Sequence, residues 1–307
     1  MVGSAWLAGC SAGPLALNAP EVAMAAARAP CPVDLEPITN RAAIVGDFMP
    51  PGPAAVLTAA MSAELRGRAL HGGEPGGYSV LCNLDRFAVR THESVTESQE
   101  ALALYADLSC EASRAADHVA IWRGELRART FSEDPNVLGS DISTRQRLLD
   151  RALSDAAREL ASDLAVRALG LLAEPSARVF TDADQQRQRA GLDDSPYGPA
   201  ALQETGATNP SLQKAITDGS ASVRAAAWNA LAMALGPGDP WSASVKLTLD
   251  DDAAVRFAQY KALARLGSDA ALAELRAAAQ NEGEPLLAEL LADALRTGGT
   301  GLARTHR

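Results

Sequence analysis

The strongest constraint on how this chain folds is an internal repeat in its C-terminal third. Thr217-Asp218-Gly-Ser-Ala-Ser-Val223-Arg224-Ala-Ala-Ala-Trp228-Asn-Ala230-Leu231 aligns with Leu249-Asp250-Asp-Asp-Ala-Ala-Val255-Arg256-Phe-Ala-Gln-Tyr260-Lys-Ala262-Leu263, so positions 218, 223, 224 and 231 recur at 250, 255, 256 and 263, a constant offset of 32. Gly236 and Gly267 close the two units where a helix C-cap takes positive φ. A degenerate third copy runs from Leu272 to Leu295, with Leu286 or Leu287 at the position of Val255. A period of this length describes stacked helical units that bury a shared core. Asp218 or Ser220 to Ser222, and Asp250 to Asp252, suit the N-terminus of the second helix of each unit. Val223 and Val255 are expected in the seam between helices, alanines 226, 230, 258 and 262 at close helix approaches, and Gln259 in solvent.

The run of acidic turn, Val-Arg and then Ala-x-x-Ala-Leu resembles the HEAT-like repeats of bacterial scaffold and lyase-type proteins, over about residues 209–296. The resemblance implies an all-α repeat domain with a protein-binding surface. Two or three units are barely enough to stand alone, so they are expected to dock on the rest of the chain or to extend a partner's stack. Arg224 and Arg256 are expected to tie down a neighbouring acidic turn, with an acidic partner as the alternative. Arg224, Trp228, Trp241, Arg256 and Tyr260 are the candidate partner contacts, although Trp and Tyr at helical spacing are more often core.

The N-terminal half reads differently. Arg41 to Asp47 is a short strand candidate, and an Ala- and Leu-rich helix follows from about Ala54 to Leu70. In Tyr78 to Arg90 the apolar phase runs Tyr78, Val80, Cys82, Leu84 and then shifts to Phe87 and Val89, which predicts a bulge near Asp85-Arg86. Leu102, Leu104, Ala106, Leu108, Cys110 and Ala112 alternate cleanly. His118 to Arg129 carries Val119, Ile121, Trp122 and Leu126 before a turn at Ser132 to Pro135. A long helix from about Ser143 to Leu172 shows an apolar stripe at Leu149, Leu153, Ala156, Leu160, Leu164, Ala168 and Leu171. The fold class is therefore an α+β N-terminal domain (strand, helix, three strands, long helix) over residues 41–172, a connector at 173–208, the all-α HEAT-like domain at 209–296 and a flexible tail at 297–307.

Arg41 to Asp47 and the helix after it, Leu84-Asp-Arg-Phe87-Ala-Val-Arg90 and Val119-Ala-Ile-Trp122-Arg-Gly-Glu-Leu126 resemble the periplasmic lipoproteins related to LPS-assembly and ABC-transport auxiliary components, over roughly residues 40–172. That likeness implies an envelope accessory role, including lipid or LPS transport as one reading. Leu7-Ala8-Gly9-Cys10 resembles a lipobox, which implies cleavage before Cys10, acylation of that cysteine (palmitate among the acyl groups) and a lipid anchor in the membrane. Ser11 resembles an outer-membrane sorting signal, and residues 11–40 read as a flexible tether. Residues 1–10 are read as a truncated signal peptide, because only six residues precede Leu7 and none is charged.

The remaining cysteines are Cys31, Cys82 and Cys110. A hairpin turning near residue 96 would set Cys82 opposite Cys110, either bonded in an oxidising compartment or as two buried thiols. There is no C-x-x-C pair, and His71, His92, His118 and His306 show no metal-ligand spacing. P-loop, dinucleotide and nucleophile-elbow motifs are absent, so no catalytic site, metal or cofactor is expected. A net charge of −10 argues against nucleic-acid binding. The expected function is an envelope-anchored, non-enzymatic scaffold or accessory subunit on the periplasmic face of the outer membrane. The alternatives are a cytosolic repeat protein that assists an enzyme, and a carrier holding a hydrophobic ligand between sheet and helices.

Overall fold

A computed structural model describes residues 16–18, 32–45, 48–67, 70–71, 77–93, 100–134, 142–173, 215–234 and 249–296. Cys10, Cys31, Trp241, His306, most of the connector and the tail lie outside the described residues.

Strands β1 (Val33–Leu35) and β2 (Thr39–Val45) precede helix α1 (Pro53–Gly67) and the short β3 (Leu70–His71). Three long strands follow, β4 (Tyr78–Glu93), β5 (Glu100–Arg114) and β6 (Ala120–Asp134), and then α2 (Ile142–Ser162). A π-helical segment, Asp163–Ala168, continues α2 to β7 (Leu172–Ala173), which pairs with β3. In the main sheet β1 and β2 both run parallel to β4, and β5 and β6 continue it antiparallel.

Alternation gives the sheet two faces. Val80, Cys82, Leu84, Leu102, Leu104, Leu108 and Leu126 point to one side and meet α1 and α2 in a single apolar core. The stripe of α2 is buried there at Leu149, Leu153, Ala156, Leu160 and Leu164. The bulge falls where the phase shift places it: register slips between Leu84 and Arg86, so Leu84 and Phe87 both face the core.

Several expectations are corrected. Register also slips between Ala112 and Ser113, leaving Ile121 as an extra residue on β6. Val119 and Ile121 are accordingly 49% and 42% exposed, whereas Trp122 and Leu126 are buried. The turn expected at Ser132 is strand, because β6 stays paired with β5 as far as Asp134. Part of the expected tether belongs to the domain. Leu17 is buried in the core, Gln146 donates to the Ala16 carbonyl at 2.6 Å, and β1 supplies three more residues. Short parallel pairing with β4 carries no periodic signal of its own, which is why β1 is silent in the sequence. Gly77 makes the entry possible: Tyr78 N donates to the Pro32 carbonyl at 2.6 Å, and a Cβ on Gly77, at φ +76, would stand 2.5 Å from that same oxygen.

Cys82 and Cys110 are register partners, and a disulfide joins them across a separation of 28 residues. Closing a loop of that size removes entropy from the unfolded chain worth about 3–4 kcal/mol. Cys82→Ser and Cys110→Ser are each expected to lose about that much in chemical denaturation. The double variant should lose little more than either single.

Among the described residues four further helices form the second layer: α3 (Ala221–Ala234), α4 (Ala253–Leu266), α5 (Asp269–Asn281) and α6 (Pro285–Arg296). Helices α3, α4 and α6 begin at 221, 253 and 285, the 32-residue period again. Val223, Val255 and Leu287, one at each equivalent position, are fully buried. Asp252 caps α4 by accepting from Val255 N at 3.1 Å, and Gly267 closes it at φ 60. These helices cover part of the outer sheet face, where Ala88, Ala101, Ala103, Tyr105 and Phe131 share one core with them.

Candidate interaction surface: the repeats and the seam behind them

The repeats are joined by a ladder of arginines and carboxylates. Asp218, Asp250 and Glu282, again 32 apart, each accept from the backbone N–H two residues on, at 2.9, 3.0 and 2.9 Å. Arg224 reaches forward to Asp250 with two hydrogen bonds, at 2.7 and 2.8 Å. Arg256 does the same to Glu282, at 3.0 and 3.1 Å. Each guanidinium also donates to carbonyls of its own turn, Arg224 to Asp218 and Gly219, and Arg256 to Asp250 and Asp251. One arginine thus fixes two successive turns, and the planar fork explains why arginine rather than lysine stands there. The partnership holds Asp250 below its ordinary pKa; in Glu282, Arg256 and Tyr260 outweigh burial to the same effect. At the next step Ala288 stands where an arginine would be, so the ladder ends with α6.

Arg224 and Arg256 therefore face their own stack. Trp228 and Tyr260 are buried, and the Tyr260 hydroxyl donates to Glu282 at 2.6 Å. None of these four side chains is a free contact point: Arg224, Arg256 and Tyr260 bond across the joint between units, and Trp228 is buried in the second core. Gln259 is 4% exposed rather than solvated. Helix α4 is enclosed by α3, α5, α6 and β6 and keeps no solvent face, and the Gln259 carbonyl accepts from Asp250 N at 3.2 Å. Among the described residues α5 presents an exposed outer side, with Ala273, Glu274, Arg276, Ala277 and Gln280, and Glu289 and Ala292 of α6 are exposed as well.

Of the repeat helices, α4 packs against β6, and α6 packs against β4 and β5. Positions 229, 261 and 293, one repeat apart, carry Asn229, Lys261 and Asp293, all buried. Lys261 pairs with Glu159 of α2 at 2.7 Å, and Arg265 bridges Glu159 at 2.7 Å and Asp163 of the π segment at 2.9 Å. Burial would raise the Glu159 carboxyl, but Lys261 and Arg265 overcome it and hold it ionised. Asp293 gathers Arg129 at 2.6 Å and Arg86 at 2.9 Å from the sheet, and Arg296 from its own helix. Its pKa falls to about 2, because these arginines outweigh burial. Tyr105 lies beneath Arg86, 4.5 Å from its ring centre, and burial drives its hydroxyl well above the ordinary tyrosine range. Phe131 meets Phe257 at 5.9 Å. A cavity of about 70 Å³ remains in this seam between Phe257, Lys261, Arg265, Leu290 and Asp293.

Sequence reasoning missed Glu159, Asp163, Lys261, Arg265 and Asp293. One signal was present: Lys261 and Asp293 interrupt core-facing positions of repeat helices. Among the described residues no group of His, Cys, Asp or Glu could hold a metal ion, and no helix is long and apolar enough to cross a membrane.

Residues 208–296 match the HEAT repeats family. No curated protein matches the chain. A crystal structure of a candidate lipoprotein from Caulobacter crescentus aligns over 48% of this chain and 94% of its own, at 14% identity and a TM-score of 0.27, a likeness too loose to support an argument.

Proposed function

We propose that the chain is a non-enzymatic, lipid-anchored envelope protein whose HEAT-like repeats bind another protein. The carrying observation is the match to HEAT repeats over 208–296, a surface type suited to protein partners, with the outer side of α5 exposed while α4 and α6 pack on the sheet. The Cys82–Cys110 disulfide supports an oxidising compartment, and the lipobox-like Leu7 to Cys10 supplies the anchor. A partner that continued the stack beyond α6 would meet no ladder arginine at Ala288, so side-on binding against α5 is favoured over end-on extension. The test is photo-crosslinking in cells from a benzoylphenylalanine placed at Arg276 or Gln280. A discrete adduct from each position is expected, and Arg276→Glu should abolish the one formed from Gln280. Adducts that form only at the outer sheet positions Leu81 or Ile121 would move the binding surface off the repeats.

A further inference from the structure

We propose that two copies of this chain pair edge to edge along β6, antiparallel and related by a two-fold axis through Gly124, so that their sheets join. β6 closes the sheet: among the described residues it pairs with β5 alone. In its first half Ala120, Ile121, Arg123 and Glu125 are exposed, the Arg123 and Glu125 side chains at 69% and 59%. Which backbone groups face outward there follows from the pairing further in. Cys82 and Cys110 stand 4.2 Å apart at Cα, the close spacing of an antiparallel pair that exchanges no hydrogen bonds. Val80, two residues earlier, agrees: its carbonyl accepts from Glu36 N at 3.0 Å on the β1 side, away from β5. Cys110 therefore turns its N–H and C=O toward β6, where Gly124 is its register partner. Arg114, in the same phase, donates across to the Val119 carbonyl at 3.0 Å. Gly124 and Leu126 thus bond back to β5, and the N–H and C=O of Arg123 and Glu125 point out along the edge.

A ladder forms only where outward residues meet outward residues, so the two-fold axis of a closed pair passes through a residue and not between two. Charge selects which one. An axis through Arg123 or Glu125 sets two arginines or two glutamates face to face, and one through Leu126 sets Arg123 against the second copy's Arg129. Through Gly124, Arg123 meets the second copy's Glu125, and the same contact recurs on the other side of the axis. Each of these pairs exchanges two backbone hydrogen bonds and matches opposite charges. The cross-strand row then runs Glu111, Arg123, the second copy's Glu125 and its Ser109, with no like charges adjacent. Glu111 already holds Arg123 at 2.8 Å. On the other face of the sheet Trp122 meets the second copy's Leu126, and both belong to the apolar core beneath the sheet. Charges on an edge strand ordinarily keep it from pairing; here their order favours the register through Gly124.

Sedimentation velocity of the full-length chain tests this, with Cys10→Ala throughout so that no acyl group drives association. The parent protein should sediment as a dimer that dissociates on dilution. Arg123→Glu and Glu125→Arg each turn both contacts into like-charge pairs. Each should weaken the dimer by at least about tenfold while the folded circular dichroism spectrum is kept. Mixed in equal amounts, the two variants should pair again, because each glutamate of one then faces an arginine of the other. That rescue belongs to the register through Gly124 and does not follow from a general loss of folding. A parent protein that stays monomeric at its highest soluble concentration overturns the proposal. So does a dimer that neither variant weakens, or a mixture of the two variants that stays monomeric.

Discussion

Val255→Asp is expected to lower the melting temperature of the whole protein by ten degrees or more. Val255 has no exposed surface, and its surroundings are helices rather than water or a cation. An unpaired carboxylate there either ionises in an apolar seam or takes up a proton, and both cost several kcal/mol, on the order of 4 or more. In a domain of this size each kcal/mol moves the transition by roughly 2–4 °C. Val223→Asp and Leu287→Asp should behave alike, because the three sites are one position repeated. Gln280→Asp, on the exposed side of α5, should change the melting by less than a degree or two. Circular dichroism of the intact chain decides the matter. Equal melting of Val255→Asp and Gln280→Asp would show that the 32-residue register is wrong. Gln259 is unsuitable as the silent control, since it is buried and serves the Asp250 turn.

Arg265→Ala is expected to be nearly as severe, for an electrostatic reason. Arg265, Glu159 and Asp163 are all within 5% of full burial at their side chains. Removing the guanidinium leaves Asp163 without that partner and Glu159 with Lys261 alone. Leaving buried charge uncompensated costs about 3–5 kcal/mol, far more than the intact cluster contributes relative to apolar packing. Arg296→Ala removes an arginine that is 68% exposed from the same seam, and should cost under about 1 kcal/mol. Chemical denaturation monitored separately by Trp122 and Trp228 fluorescence adds a second reading. Because the cluster spans both domains, Arg265→Ala should separate their transitions, while the unsubstituted protein unfolds in one. Two equal midpoints in the variant would mean that Arg265 is not what couples the domains.

How much of this was legible follows from where the forces act. The repeat register was readable because a valine, an arginine and a capping carboxylate recur at a fixed offset, and each does the same work in every unit. The bulge at Asp85 was readable because it displaces an otherwise strict alternation. The seam was not, because its partners are 102 to 207 residues apart and no periodicity links them. A lysine at 261 or a glutamate at 159 looks like a surface charge until the opposing domain is in place. Trp228 and Tyr260 are large and amphipathic, which suits a partner contact, but the same chemistry suits burial between stacked helices. β1 and the docked segment around Leu17 were hidden by their brevity among Ala and Pro.

The claim on which the function rests is the anchor, since it separates an envelope scaffold from a cytosolic assistant of an enzyme. Globomycin blocks cleavage before the acylated cysteine, so treated cells should accumulate a longer precursor. Untreated cells should yield, from the envelope fraction, a protein that begins at acylated Cys10 and incorporates labelled palmitate. Cys10→Ala should abolish the label. A soluble, unacylated product of unchanged length with and without the drug would contradict the account.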